Sequence, residues 1–107
     1  MNDFKNIDVA ELKNLRERWP VNLIDVRTDA EVARGMLEGA SHVPLHLLPL
    51  MAQELDSGRP TVFYCQSGGR SAQACAFLAA KGIGNLHNLQ GGIMAWVRSG
   101  FPVTTAA

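Results

Sequence analysis

Cys65 follows the apolar run Thr61-Val62-Phe63-Tyr64 and precedes Gln66-Ser67-Gly68-Gly69-Arg70-Ser71, which leads into an alanine-rich stretch of helical period. A buried strand, a thiol at its carboxyl edge, a six-residue loop and a helix start, in that order, set up a nucleophile. Gly68 and Gly69 let the backbone curl around the sulfur. The N–H groups of Gln66 through Ser71 and the positive end of the following helix then face one point. Thiolate is the reactive form of cysteine, and a cysteine at a helix N-terminus ionises well below the free value of about 8.5. A drop of roughly two units would raise the thiolate fraction at neutral pH from about 3 % to about three quarters.

The groups around this loop divide into chemical and structural candidates. Arg70, the last loop residue, reads either as a surface charge or as a cation aimed at an anionic substrate. Asp25 and Arg27 end a neighbouring buried strand, at the edge where ligands bind in open α/β sheets. They are expected to shape the rim: Asp25 by hydrogen-bonding backbone N–H groups near the cysteine loop, Arg27 by pairing with Glu31. Cys75 lies among small residues of the following helix and reads as a packing residue. His42, His46 and His87 lack ligand spacing and read as surface or packing residues, and Trp96 reads as a core anchor.

Positioning these groups requires alternating strands and helices with short turns, the pattern of a doubly wound α/β domain with a parallel sheet. The spacing predicts a strand near Phe4–Ile7 and a helix from Val9 to about Arg18 capped by Asp8 and ended by Pro20. A buried strand Val21–Val26 follows, then a short helix Ala30–Arg34 capped by Asp29, a turn through Gly35 and Gly39, and a strand around Ser41–Val43. A helix over roughly Leu47–Leu55 tolerates Pro49 only in its first turn. After a turn at Asp56-Ser57-Gly58-Arg59-Pro60 come the Thr61–Tyr64 strand, the Cys65–Arg70 loop, and a helix Ser71–Lys81 ended by Gly82. A strand Asn85–Leu89, the Gln90-Gly91-Gly92 turn and a helix Ile93–Ser99 complete the series.

The chain of 107 residues is read as one domain, 1–107, able to bury about two-thirds of its unfolded surface. Lys plus Arg total 10 and Asp plus Glu total 10, so no global charge points to nucleic acid or an anionic membrane, and any anion site must be local. The start has no apolar leader and no run approaches membrane-spanning length, so the expected location is the cytoplasm. Two cysteines without metal-ligand spacing argue against a disulfide scaffold or a structural zinc, and no cofactor is expected.

Five segments in order carry a family resemblance: Leu23-Ile24-Asp25-Val26-Arg27 with Glu31; Gly39-Ala40 leading to Val43-Pro44; Cys65 through Ser71; Leu89-Gln90-Gly91-Gly92-Ile93 with Ala95-Trp96; and Gly100-Phe101-Pro102-Val103. Together they resemble a single-domain rhodanese, a sulfurtransferase. The resemblance implies an open five-stranded parallel sheet with helices on both faces, a catalytic Cys65, and transfer of a sulfane sulfur through a persulfide on that cysteine. One turn departs from the family: Gly35-Met36-Leu37-Glu38-Gly39-Ala40 stands where many members read Gly-His-Ile-Pro-Gly-Ala.

A sulfane donor such as thiosulfate carries an outer sulfur that a thiolate can attack, leaving sulfite and an enzyme persulfide whose charge the loop N–H groups of Gln66 through Ser71 would stabilise. Expected partners are a small-molecule sulfane donor and a thiol or cyanide acceptor, or a thioredoxin-like or other sulfur-acceptor protein. Two other readings stay open. Cysteine phosphatases and arsenate reductases use Cys-x5-Arg to cradle a tetrahedral anion, whereas this loop is Cys-x4-Arg, which tightens the ring toward a single sulfur. The fold could also serve as a non-catalytic sulfur carrier or binding module.

Overall fold

The structure is a computed structural model that describes residues 3–55 and 58–105. Asp56 and Ser57, part of the turn expected after the third helix, lie outside the described residues.

Five strands, β1 Lys5–Ile7, β2 Asn22–Asp25, β3 Ser41–His42, β4 Thr61–Tyr64 and β5 Leu86–Leu89, form a sheet of order β1-β5-β4-β2-β3. Every pairing is parallel. The helices are α1 Val9–Arg18, α2 Asp29–Val32, α3 Leu48–Met51, α4 Gly69–Ala80 and α5 Gly92–Arg98. Alternation along β4 divides the core into two layers, since successive strand residues point to opposite faces. Val62 and Tyr64 pack with Leu12 of α1 and Ile93 and Trp96 of α5. Phe63 and Cys65 pack with Leu48 of α3 and Ala74, Cys75 and Leu78 of α4. Cys65 therefore stands at the carboxyl end of the middle strand, on the α4 side.

Several boundaries differ from the expected ones for local reasons. The cap of α2 is Thr28 rather than Asp29: the Thr28 hydroxyl accepts from Glu31 N, and the Glu31 carboxylate accepts from Thr28 N at 3.1 Å, a reciprocal capping box. This pair fixes Glu31 at the rim of the sheet. The expected Leu47–Leu55 helix is broken into a 3₁₀ turn Leu45–Leu47, the single α turn of α3, and a second 3₁₀ turn Ala52–Glu54. Pro49 has no N–H to bond backwards, so the preceding turn closes separately, with Leu47 N donating to Pro44 O at 2.8 Å. β5 begins at Leu86 because Asn85 takes a φ of 62°, outside strand geometry. α4 begins at Gly69, so the loop after Cys65 is only Gln66–Gly68, and Arg70 and Ser71 belong to the first turn of the helix.

Candidate active site

The sequence from β4 into α4 delivers Cys65 to a cradle of donors. Gly68 caps α4 with a φ of 110°, a conformation that only glycine adopts without strain. That turn aims Gly68 N at the Cys65 sulfur, 3.1 Å away, while the Ser71 hydroxyl stands 3.5 Å from the sulfur. Burial pushes the Cys65 thiol up, but the Ser71 hydroxyl and the backbone N–H groups of Ser71, Gly68 and Ser67 outweigh it and hold the pKa below the ordinary thiol value. The cradle is thus narrower than the run Gln66 through Ser71. Gly69 has ordinary helical backbone and open space where a Cβ would project, so it is not needed for the curl. Gln66 faces sideways into a groove, and its carbonyl accepts from Met94 N at 3.2 Å.

Two further contacts pin the loop from the opposite side. Ile93 N donates to Cys65 O at 2.9 Å, so the first turn of α5 grips the backbone of the cysteine itself. Gly92 makes this approach possible: a Cβ there would collide with Cys65 O and lie 2.6 Å from Gln66 O. Sequence reasoning took Gly91 and Gly92 as a tight strand-to-helix turn and missed this contact, which only the packing of α5 against the loop reveals. It also missed Asn88. The Ser71 hydroxyl lies 2.5 Å from Asn88 Oδ1 and 3.2 Å from Gly68 O, and Asn88 Nδ2 donates to Asn6 Oδ1 at 3.0 Å. One hydroxyl proton thus has three acceptors within reach, the Cys65 sulfur among them. The available signal was an asparagine between His87 and Leu89 in a short strand, a residue type disfavoured in strands.

The rim is built from charges paired differently from the expectation. Asp25 is fully buried and holds Arg27 rather than loop N–H groups: Arg27 Nε and Nη2 reach its carboxylate at 3.0 and 2.8 Å, and Arg27 N donates to Asp25 Oδ1 at 2.9 Å. Arg27 is therefore not the partner of Glu31. A buried guanidinium requires a buried carboxylate, and Glu31 sits farther out on α2. Arg27 Nη2 also donates to Gly35 O at 2.6 Å, tying the departing turn to the strand end, and Leu37 N donates to the Tyr64 hydroxyl at 2.9 Å.

Glu31 pairs with Arg70. The two join at 2.7 and 2.8 Å in a bidentate bridge between α2 and the first turn of α4. The Arg70 guanidinium holds the Glu31 carboxyl down at about 2, against burial and with help from Thr28. Arg70 itself is raised by Glu31, and Cys65 lies near enough to contribute. Arg70 is thus neither a free surface charge nor an unengaged cation.

Cys75 is buried as expected. Its thiol donates to His87 O at 3.4 Å, and burial alone pushes its pKa up to about 12. His42 Nε2 lies 2.7 Å from Arg27 O, and His87 Nδ1 is buried without a partner. Trp96 anchors its layer, its Nε1 donating to Pro102 O at 2.8 Å. Among the described residues no group of His, Cys, Asp and Glu could hold a metal ion, and no helix is long and apolar enough to cross a membrane.

Two grooves flank the Arg70–Glu31 bridge. One, of about 600 Å³, runs between α2 and α5 past Gln66; the other, of about 670 Å³, lies between α2 and the segment 44–47. A low-pKa sulfur with donors aimed at it can attack an electrophilic atom and hold the anion that results.

The chain matches the Rhodanese-like domain family over residues 8–99. It is 46 % identical over 91 residues to a protein named sulfurtransferase from Allochromatium vinosum, the match covering 85 % of each chain. It is 35 % identical over 106 residues to the thiosulfate sulfurtransferase GlpE of Pseudomonas fluorescens, covering 99 % of this chain and 95 % of that one. A crystal structure of a rhodanese-like domain protein from Staphylococcus aureus superposes with a TM-score of 0.84 at 34 % identity, covering 97 % of this chain and all of the other.

Proposed function

Because the chain belongs to the rhodanese-like domain family, whose relatives include proteins named sulfurtransferases, we propose that it moves a sulfane sulfur from thiosulfate or a related donor to a thiophilic acceptor through a persulfide on Cys65. The observation that carries this reading is the Cys65 sulfur held at 3.1 Å from Gly68 N with its pKa lowered despite burial.

In the first step the Cys65 thiolate attacks the outer sulfur of thiosulfate. The bond between the two sulfurs of the donor breaks, its electron pair leaves with sulfite, and a persulfide anion remains on Cys65. The donors that lower the thiol pKa, Ser71 and the N–H groups of Gly68 and Ser67, are the ones that would take up charge on the incoming sulfur. Arg70, beside Cys65, supplies positive potential for the anionic donor, with Glu31 fixing its direction. In the second step a thiol or cyanide attacks the outer sulfur of the persulfide and Cys65 leaves as thiolate. Cyanide would yield thiocyanate.

Mass spectrometry of the protein mixed with thiosulfate tests the reading directly. A gain of one sulfur atom localised to Cys65, removed by added cyanide, is the expected result. A protein that takes up no sulfur from any sulfane donor would instead be a binding module.

A further inference from the structure

Nothing in the packing of β5 calls for an asparagine at position 88. The side chain is buried, and a buried amide costs free energy unless both its oxygen and its nitrogen find partners, a cost that an apolar residue would avoid. Its two bonds run in one direction. Asn88 Nδ2 donates to Asn6 Oδ1 at 3.0 Å across the β1–β5 pairing, and this turns Asn88 Oδ1 toward the Ser71 hydroxyl, 2.5 Å away. The amide also lies against the cap of α4, since a Cβ on Gly68 would come within 3.9 Å of Asn88 Nδ2.

The three acceptors around the single Ser71 proton are not equivalent. Asn88 Oδ1 is the nearest at 2.5 Å, with Gly68 O at 3.2 Å and the Cys65 sulfur at 3.5 Å. A neutral thiol accepts weakly, so beside it the proton goes to the amide oxygen. An anionic sulfur accepts a charge-assisted bond, roughly twice as strong as a neutral one, and a hydroxyl turns on its own axis to suit its best acceptor. The charged groups near this sulfur do not change over the same range: Arg70 of α4 stays protonated and Glu31 of α2, its partner, stays ionised.

We infer that Asn88 is a positioning residue for the nucleophile: it holds the Ser71 proton while the Cys65 sulfur is neutral and yields it when that sulfur becomes an anion. No covalent bond changes in this step. Ser71 keeps its proton throughout, and only the acceptor is exchanged. The exchange leaves Asn88 Oδ1 without its donor, so each anion formed on Cys65 is stabilised by Ser71 less than it would be with no amide competing. Asn88 therefore tempers the nucleophile, and Asn6, by orienting the amide, sets Asn88.

The rate of iodoacetamide alkylation against pH reads the Cys65 thiolate, because Cys75 is held neutral with a pKa of about 12. Asn88→Leu, close to asparagine in size and unable to accept a hydrogen bond, should lower the midpoint by about half a pH unit or more, the scale of one neutral hydrogen bond. A substitution that merely loosened the cradle would move the midpoint the other way, toward the free cysteine value of about 8.5. In a Ser71→Ala background the same change should leave the midpoint where Ser71→Ala alone puts it, because no proton remains to redirect. Asn6→Ala gives a second route. Asn6 is exposed, and its loss frees the Asn88 amide to turn Nδ2 toward the Ser71 oxygen, which again releases the proton to sulfur. A downward shift that vanishes without Ser71 is expected here too, and it decides the matter if the Asn88→Leu protein does not fold. A midpoint that rises or stays in place, or a downward shift that persists without the Ser71 hydroxyl, overturns the inference. The inference rests on Cys65 as the nucleophile of the persulfide reading, but alkylation needs no sulfur donor: failure to take up sulfur would end that reading and leave these shifts standing.

Discussion

Two thiols of nearly equal depth have opposite acidities in this protein. Cys65 is 1 % exposed and Cys75 is fully buried, yet the first is lowered and the second pushed up to about 12. Burial penalises both thiolates; only Cys65 is repaid by hydrogen-bond donors aimed at its sulfur. Alkylation of the folded protein at neutral pH should therefore modify Cys65 and spare Cys75. Cys65→Ser should abolish sulfur uptake, whereas Cys75→Ser should retain it, and equal loss in the two would refute the assignment of the nucleophile. The Ser71 hydroxyl is the side-chain donor at this sulfur, so Ser71→Ala should move the midpoint of the alkylation-versus-pH curve upward, toward the free cysteine value of about 8.5. A midpoint that stays in place would leave the backbone N–H groups as the whole cause.

At the scale of elements, the site depends on how helix ends meet. The Glu31–Arg70 bridge links α2 to α4, and its carboxyl is held down at about 2 against an ordinary 4.5. A depressed carboxylate adds stability above its unfolded pKa and loses it as pH falls through its folded one. The bridge should therefore support the fold above about pH 4.5 and lose its effect progressively toward pH 2. Because both partners are partly exposed, the contribution is about 1 kcal/mol. Melting curves across that window should show a smaller acid-induced drop in Glu31→Gln than in the parent. The two adjacent glycines at the start of α4 should separate as well. Gly68, with a φ of 110°, should lose about 1–2 kcal/mol as alanine. Gly69, helical and unobstructed, should gain about 0.5–1 kcal/mol from the same change. Denaturant midpoints for the two variants moving in the same direction would contradict this picture of the cap.

For the whole molecule, the two core layers hold the sheet edge on which the site is assembled. Leu12 of α1 is fully buried in the layer opposite the Cys65 sulfur. Leu12→Ala should cost about 2–5 kcal/mol in urea unfolding while the alkylation rate of Cys65 in the native state stays that of the parent. A changed rate would mean that the cradle is coupled to the far layer. The sequence alone determined the strand and helix order, the strand Thr61–Tyr64, the helix Val9–Arg18 with its Asp8 cap, and the place of Cys65 between a strand and a helix start. These are consequences of local periodicity and of contacts a few residues apart, which sequence patterns record. The partners of Arg27, Glu31, Arg70 and Ser71 were decided by tertiary structure. Arg70 and Glu31 are separated by 39 residues and Ser71 and Asn88 by 17. Which of several charged groups meet across such separations depends on where each helix ends and how deeply each side chain is buried. The α2 cap lies one residue, and the α4 start two residues, before the expected positions, which puts Arg70 and Ser71 on the first turn of α4, and successive residues there point about 100° apart around the axis, one toward Glu31 and the other toward Asn88.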